Sequence, residues 1–147
     1  MTTSKPDSDR MVSYGPLVLR VSLGLVFLAH AYAKARIFTF AGTEQFFEAN
    51  HFPGWTVYPV FAAELIGGLA LVLGVKVRWA AAVLFAVMIG ALKPHLGNGW
   101  MFTGAGGGWE YPAFLIAALG AQWAMGAGAW ALALPKRGLG ERSVARG

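Results

Sequence analysis

The chain has 147 residues, a formal net charge of +5 and no cysteine, and it is 56% hydrophobic against 13% charged. Soluble domains carry about a quarter charged residues, so this composition points to a lipid-embedded chain instead of a water-soluble globule. Without thiols there are no disulfides, thiol relays, c-type haem attachments or Cys-ligated clusters, and basic residues that sit at the ends of apolar segments do not form the clustered patch that nucleic acid requires.

A helix needs about 20 mostly apolar residues to cross a bilayer, and four segments supply them. A short tail, residues 1–13, leads into the first span, near Gly15 to Ala35. Ala29, Ala31, Ala33 and Ala35 offer the A-x-A spacing of a cleaved signal, but Arg20 interrupts the apolar run, so a retained span is expected. The connection Arg36 to Trp55 is polar and aromatic. Within it, Thr43 to Asn50 should lie on the interface as one or two helical turns, with Phe46, Phe47 and Phe52 to lipid and Glu44 and Glu48 to water. The second span runs near Thr56 to Val75 and the third near Val77 to Leu92, a tight hairpin around Lys76. Pro94 ends or kinks the third span. Gly97 and Gly99 flank Asn98 in the manner of a tight turn, and Gly106, Gly107 and Gly108 allow close backbone approach. Glu110 stands where a carboxylate favours the start of the fourth span, near Tyr111 to Leu134. The expected fold is therefore all-α: a four-helix transmembrane bundle over residues 14–134, with a short interfacial segment between helices 1 and 2 and a basic tail, 135–147.

Charge counting orients it. Lys5, Arg10, Lys76, Arg78, Lys136, Arg137, Arg142 and Arg146 fall on one side; Lys34, Arg36 and Lys93 fall on the other. Both termini are then expected in the cytoplasm, in a bacterial inner membrane. Tyr14, Trp79 and Trp130 should mark the cytoplasmic interface, and Trp55, Trp100, Trp109 and Tyr111 the outer one. Ala82, Ala86 and Gly90, and likewise Gly120, Ala124 and Gly128, recur every four residues and are expected as packing ridges.

Charged groups within hydrocarbon cost at least ~2.5 kcal/mol each, which makes those that remain functional candidates. Glu64 lies roughly 12 Å below the outer end of its span at 1.5 Å per residue. His30 and Lys34 share a face one turn apart, and either is within plausible reach of Glu64. Arg20 lies deeper and could meet Glu64 or snorkel to the cytoplasmic headgroups. Lys93, His95, Asn98, Trp109 and Glu110 add polarity on the outer side. Such a set could bind a polar headgroup, an oxyanion or a quinone ring, or it could be a structural brace. No close-spaced ligand pair points to a metal, and no P-loop accompanies the glycines.

Four pieces in order resemble the DoxX family of small four-helix membrane proteins: residues 19–30 with Lys34 after them, residues 63–68, residues 95–99 and residues 108–112. The resemblance implies a subunit linked to thiosulfate:quinone oxidoreductase chemistry or a membrane partner in oxidative-stress complexes. Carried onto this chain, it implies catalytic roles for His30, Glu64 and Arg20, with Lys34, Lys93, His95, Asn98, Trp109 and Glu110 as binding residues. Three functions remain open: a quinone-linked redox subunit with quinone as its diffusible cofactor, a non-catalytic anchor for redox or stress-related protein partners, and a small transporter or lipid-binding protein. A homo-oligomer is compatible with each.

Overall fold

The computed structural model describes residues 6–132 and is all-helical among them. Lys5 and the basic tail, residues 135–147, lie outside the described residues. Helix α1 spans Pro6–Tyr32, so it starts within the expected tail, and it ends in one π-helical turn, Ala33–Ile37. The interfacial helix α2 covers Thr39–Ala49. Then come α3 at Val57–Leu73, α4 at Val77–Leu92 and α5 at Glu110–Met125. Short 3₁₀ turns, Gly54–Thr56 and Lys93–His95, precede α3 and follow α4. Three helical stretches are individually long and apolar enough to cross a membrane: Ser13–Ile37, Gly54–Leu73 and Val77–His95.

The fourth crossing differs from expectation. Helix α5 has 16 residues and stops at Met125, not Leu134. At 1.5 Å per residue it is about 24 Å long, short of the ~30 Å hydrocarbon core. Gly126 and Gly128 take positive φ, +80° and +67°, and the chain turns onto the N-terminal part of α1. There Ala129 N–H donates to Ser13 O at 2.9 Å, and Leu132 N–H donates to Leu73 O at 3.2 Å. The start of α5 lies at the opposite end of α1, where Tyr111 stacks on His30. Helix and extension together therefore traverse the bundle.

The packing surfaces also differ from the expected ridges. Ala82, Ala86 and Ala124 are exposed and a Cβ on Gly90 would meet open space, whereas Gly128, in the loop after α5, does pack closely: a Cβ there would stand 2.7 Å from Ser13 O on α1. The close helix–helix approach is instead between α1 and α3. A Cβ on Gly24 would stand 2.7 Å from Gly68 O, and one on Gly68 would stand 2.9 Å from Gly24 O. Glycine at both positions lets two backbones touch, and the gain is dispersion and shape fit because lipid supplies no hydrophobic drive between helices. On the other side of the bundle, Leu84, Met88, Leu115 and Leu119 form the α4–α5 part of the core. The hairpin between α3 and α4 closes as a Schellman end: Gly74 takes φ +75°, Val75 N–H reaches Ala70 O and Gly74 N–H reaches Leu71 O.

The two aromatic sets gather at opposite ends of the bundle, as grouped in the sequence. Tyr14 and Trp130 meet edge to face at the α1 N-terminal end, and exposed Trp79 joins them at the start of α4. Trp55, Trp100 and Tyr111 are exposed at the other end, with Trp109 half-buried beside Trp100.

Candidate functional site

The π-helical turn after α1 holds Lys34, and π-helical turns concentrate at functional positions. Lys34 Nζ lies 2.8 Å from each carboxylate oxygen of Glu64 on α3. The pair is the one ion pair among the described residues, and Glu64 is 3% exposed. A bidentate, charge-assisted arrangement of this kind offsets the cost of burying the two groups. Of the three partners the sequence offered, Lys34 takes the role, and His30 and Arg20 do not.

His30 faces the same space with a different partner. Its Nδ1 is 2.8 Å from Val26 O, and its ring stacks on Tyr111 with centroids 6.1 Å apart. A carbonyl only accepts, so Nδ1 carries the proton and a neutral imidazole keeps an acceptor lone pair on Nε2. His95 repeats the pattern, with Nδ1 2.9 Å from Gly107 O. Two histidines on different elements are thus held in the same tautomer by backbone carbonyls.

These groups border one cavity of about 640 Å³. Every helix contributes to it: His30 and Lys34 from the end of α1, Thr43, Phe46 and Phe47 from α2, Val60 and Glu64 from α3, Val87, Met88 and Ala91 from α4, and Tyr111 and Pro112 from α5. The walls are mostly apolar, and the polar groups converge at one end of the bundle. The expectation that Phe46, Phe47 and Phe52 face lipid is corrected here, because all three line the cavity. Half-exposed Phe46 does both. Helix α2 is therefore a wall of the site and not only a strip on the membrane surface. Thr43 was not foreseen. It is buried, its Oγ1 donates to Thr39 O at 2.9 Å, and it too lines the cavity. Positions 43, 46 and 47 share a helical face, so i, i+3, i+4 spacing was the signal that could have found it.

Arg20 is not at this site. It is 1% exposed, yet it neither reaches Glu64 nor snorkels to the headgroups. Its guanidinium donates to five backbone carbonyls: Ala127 at 2.9 Å, Leu71 at 2.8 Å, Val72 at 2.6 Å, and Ala129 and Trp130 at 3.1 Å each. Leu71 and Val72 are in the last turn of α3, where carbonyls run out of N–H groups four residues on, and Leu71 O accepts from the Gly74 N–H as well as from Arg20. Ala127, Ala129 and Trp130 belong to the extension after α5. Arg20 thus ties three chain segments together at the end of the bundle where α3 finishes, and five N–H donors in a fixed fork suit that task as Lys could not.

The remaining candidates divide. Lys93 Nζ stands 4.8 Å over the Phe52 ring, a cation–π contact beside the cavity. Asn98 Nδ2 donates to Pro94, Gly106 and Gly107 carbonyls at 3.3, 2.9 and 3.1 Å, which folds the outer loop back on itself. Trp109 N–H and Glu110 N–H pair with Gly99 O and Trp100 O, both at 3.1 Å. Trp109 and Glu110 face a second groove and not the cavity. The structure therefore brings together His30, Lys34, Glu64 and His95. Asn98 braces their loop, and Arg20, Trp109 and Glu110 lie apart.

The DoxX family model matches residues 15–106, a stretch that runs from the start of the first span to the outer loop. The chain is also 33% identical over 96 residues to a Bacillus subtilis (strain 168) protein named "Putative oxidoreductase CatD", a match that covers 61% of this chain and 70% of the relative. No solved structure matches the chain significantly. The chain belongs to the DoxX family.

Proposed function

We propose that this DoxX-family membrane protein is a quinone-linked redox subunit whose cavity binds the quinone head. The observation that supports this reading is the convergence of two carbonyl-held histidines and a buried Lys34–Glu64 pair on an apolar cavity of about 640 Å³. Small-molecule sites fall at about 300–1,000 Å³ with mostly apolar walls and a few placed polar groups. That donor and acceptor set fits a ring with two oxygens and an apolar tail. A quinone held there supplies two-electron, two-proton chemistry, and the electrons come from a reduced donor on a partner subunit.

The residues have separable tasks. Reduction of a bound ring would take up two protons, which His30 Nε2 and His95 Nε2 would pick up from water and pass to the ring oxygens, while the carbonyl bonds at Nδ1 hold each imidazole in register. Lys34 offers N–H bonds to a ring oxygen, and Glu64 fixes Lys34 in place. Lys93, at the rim, attracts an anionic donor. Met88, Val87 and the α2 phenylalanines exclude water. Both termini belong in the cytoplasm of a bacterial inner membrane in this reading, so the cavity opens on the outer side.

A second reading has one observation in its favour. The Lys34–Glu64 pair gives both carboxylate oxygens a partner and joins the end of α1 to α3, as a brace in a non-catalytic anchor would. Titration of reconstituted protein with short-chain quinones separates the two. Saturable binding that His30→Ala and His95→Ala each weaken supports the redox subunit. Absence of saturable binding to well-folded protein leaves the anchor.

A further inference from the structure

A second groove of about 510 Å³ lies beside the outer loop and meets the cavity only at Tyr111, which borders both. Its walls are rings: Trp100, Phe102, Trp109, Tyr111 and Phe114. Trp100 and Trp109 fix each other edge to face at 4.5 Å. One charged side chain borders this aromatic set, Glu110, and no Lys or Arg does. Glu110 Oε1 accepts the Phe102 N–H at 3.0 Å. The carboxylate has no ion-pair partner among the described residues.

Ring faces present the negative end of the aromatic quadrupole, so an aromatic groove with a single carboxylate attracts a cation and repels an anion. Its depth narrows the choice. Trp100 and Tyr111 lie in the outer aromatic belt, which is the level of lipid headgroups. Phe114 is one helical turn from Glu110 toward the middle of the bundle, where an acyl chain would begin.

We propose that this groove binds the primary ammonium of an ethanolamine phospholipid headgroup, with Glu110 Oε2 accepting an N–H bond and the indole and phenol faces surrounding the charge. A choline headgroup has no N–H to donate, and a glycerol headgroup brings no cation. The expected order is therefore ethanolamine, then choline, then glycerol. This assignment is independent of what the cavity binds.

The test is lipid retention by native mass spectrometry. Delipidated full-length protein is titrated with phosphatidylethanolamine, phosphatidylcholine or phosphatidylglycerol of identical acyl chains. The proposal expects about tenfold stronger retention of the ethanolamine lipid over the glycerol lipid, the factor that one charge-assisted hydrogen bond supports. Glu110→Gln removes that preference while its amide oxygen still accepts the Phe102 N–H, so the loop keeps its shape. Trp100→Leu lowers retention without changing charge and serves if Glu110→Gln does not fold. Equal retention of the three lipids, or an unchanged preference in a folded variant, overturns the proposal. So does free ethanolamine competing as well as the lipid, because the groove would then take a soluble amine.

Discussion

Replacing Arg20 by Met removes the charge and all five guanidinium bonds while keeping most of the side-chain bulk. The five carbonyls it serves lie in the last turn of α3 and in the extension 127–130. In membrane proteins a side-chain hydrogen bond averages about 0.6 kcal/mol, and a bond to a charged donor in a buried site reaches about 1.5 kcal/mol or more. With five bonds lost, the cost is about 3–7 kcal/mol, and because Arg20 is 1% exposed no water stands ready to replace them. For a chain of this size each kcal/mol moves the melting point by about 2–4 °C, so a drop on the order of 10 °C or more is expected. The assay is thermal unfolding in detergent, paired with limited proteolysis after Met125. Arg20→Met should melt early and be cut between Gly126 and Leu132 below its melting point, and Arg20→Lys should recover only part of the loss. Quinone binding measured well below the melting point should be unchanged in Arg20→Lys. A variant that melts like the parent, or one that keeps its stability and loses quinone binding, would refute the assignment of Arg20 as a tie and return it to the site.

Gly68→Val should loosen the α1–α3 crossing, because the new side chain meets Gly24 O and the Leu28 backbone; the expected loss is about 2–4 kcal/mol, read by thermal melting. Glu64→Gln should destabilise by about 3–5 kcal/mol by leaving Lys34 uncompensated, whereas Lys34→Met with Glu64→Met should restore stability without restoring quinone binding. Restoration of both would make the pair a brace only. Asn98→Ala should expose the loop at residues 97–107 to protease while leaving the helical core intact by circular dichroism. Ala82→Leu and Ala86→Leu should leave the melting temperature of the monomer within about 2 °C, since both positions are exposed and surface changes stay near ±0.5 kcal/mol.

The outer polar cluster was only partly legible along the chain. Helical rise placed His30 close to the level of Glu64 and Lys34 one turn further out, with either within reach of the carboxylate. Spacing could not say which neighbour would win. That choice was made by the π-helical turn that holds Lys34 and by the Val26 carbonyl that holds His30 Nδ1. Thr43 and the inward aromatic face of α2 were missed because an amphipathic segment beside a bilayer reads as lipid-facing until a cavity is known to lie beneath it.

By itself the sequence determined that the chain is helical and lipid-embedded and which aromatic residues gather at each end of the bundle. Those properties depend on composition, apolar length and the placement of Lys, Arg and Trp, all of which are local. It also located the hairpin at Lys76 and the turn around Asn98, where Gly and Pro restrict the backbone nearby. Only the tertiary structure decided the partners. The small-residue periodicity pointed to Ala82, Ala86, Gly90, Gly120, Ala124 and Gly128, but close backbone contact fell to Gly128 among these and to Gly24 and Gly68, because a ridge acts only when a neighbouring backbone is within reach. The fourth span ended early because Gly126 turns the chain toward carbonyl acceptors for Arg20, a residue more than a hundred positions away in sequence. Burial of a charge is tolerated through its partners, and partners distant in sequence are fixed by the packing of the bundle.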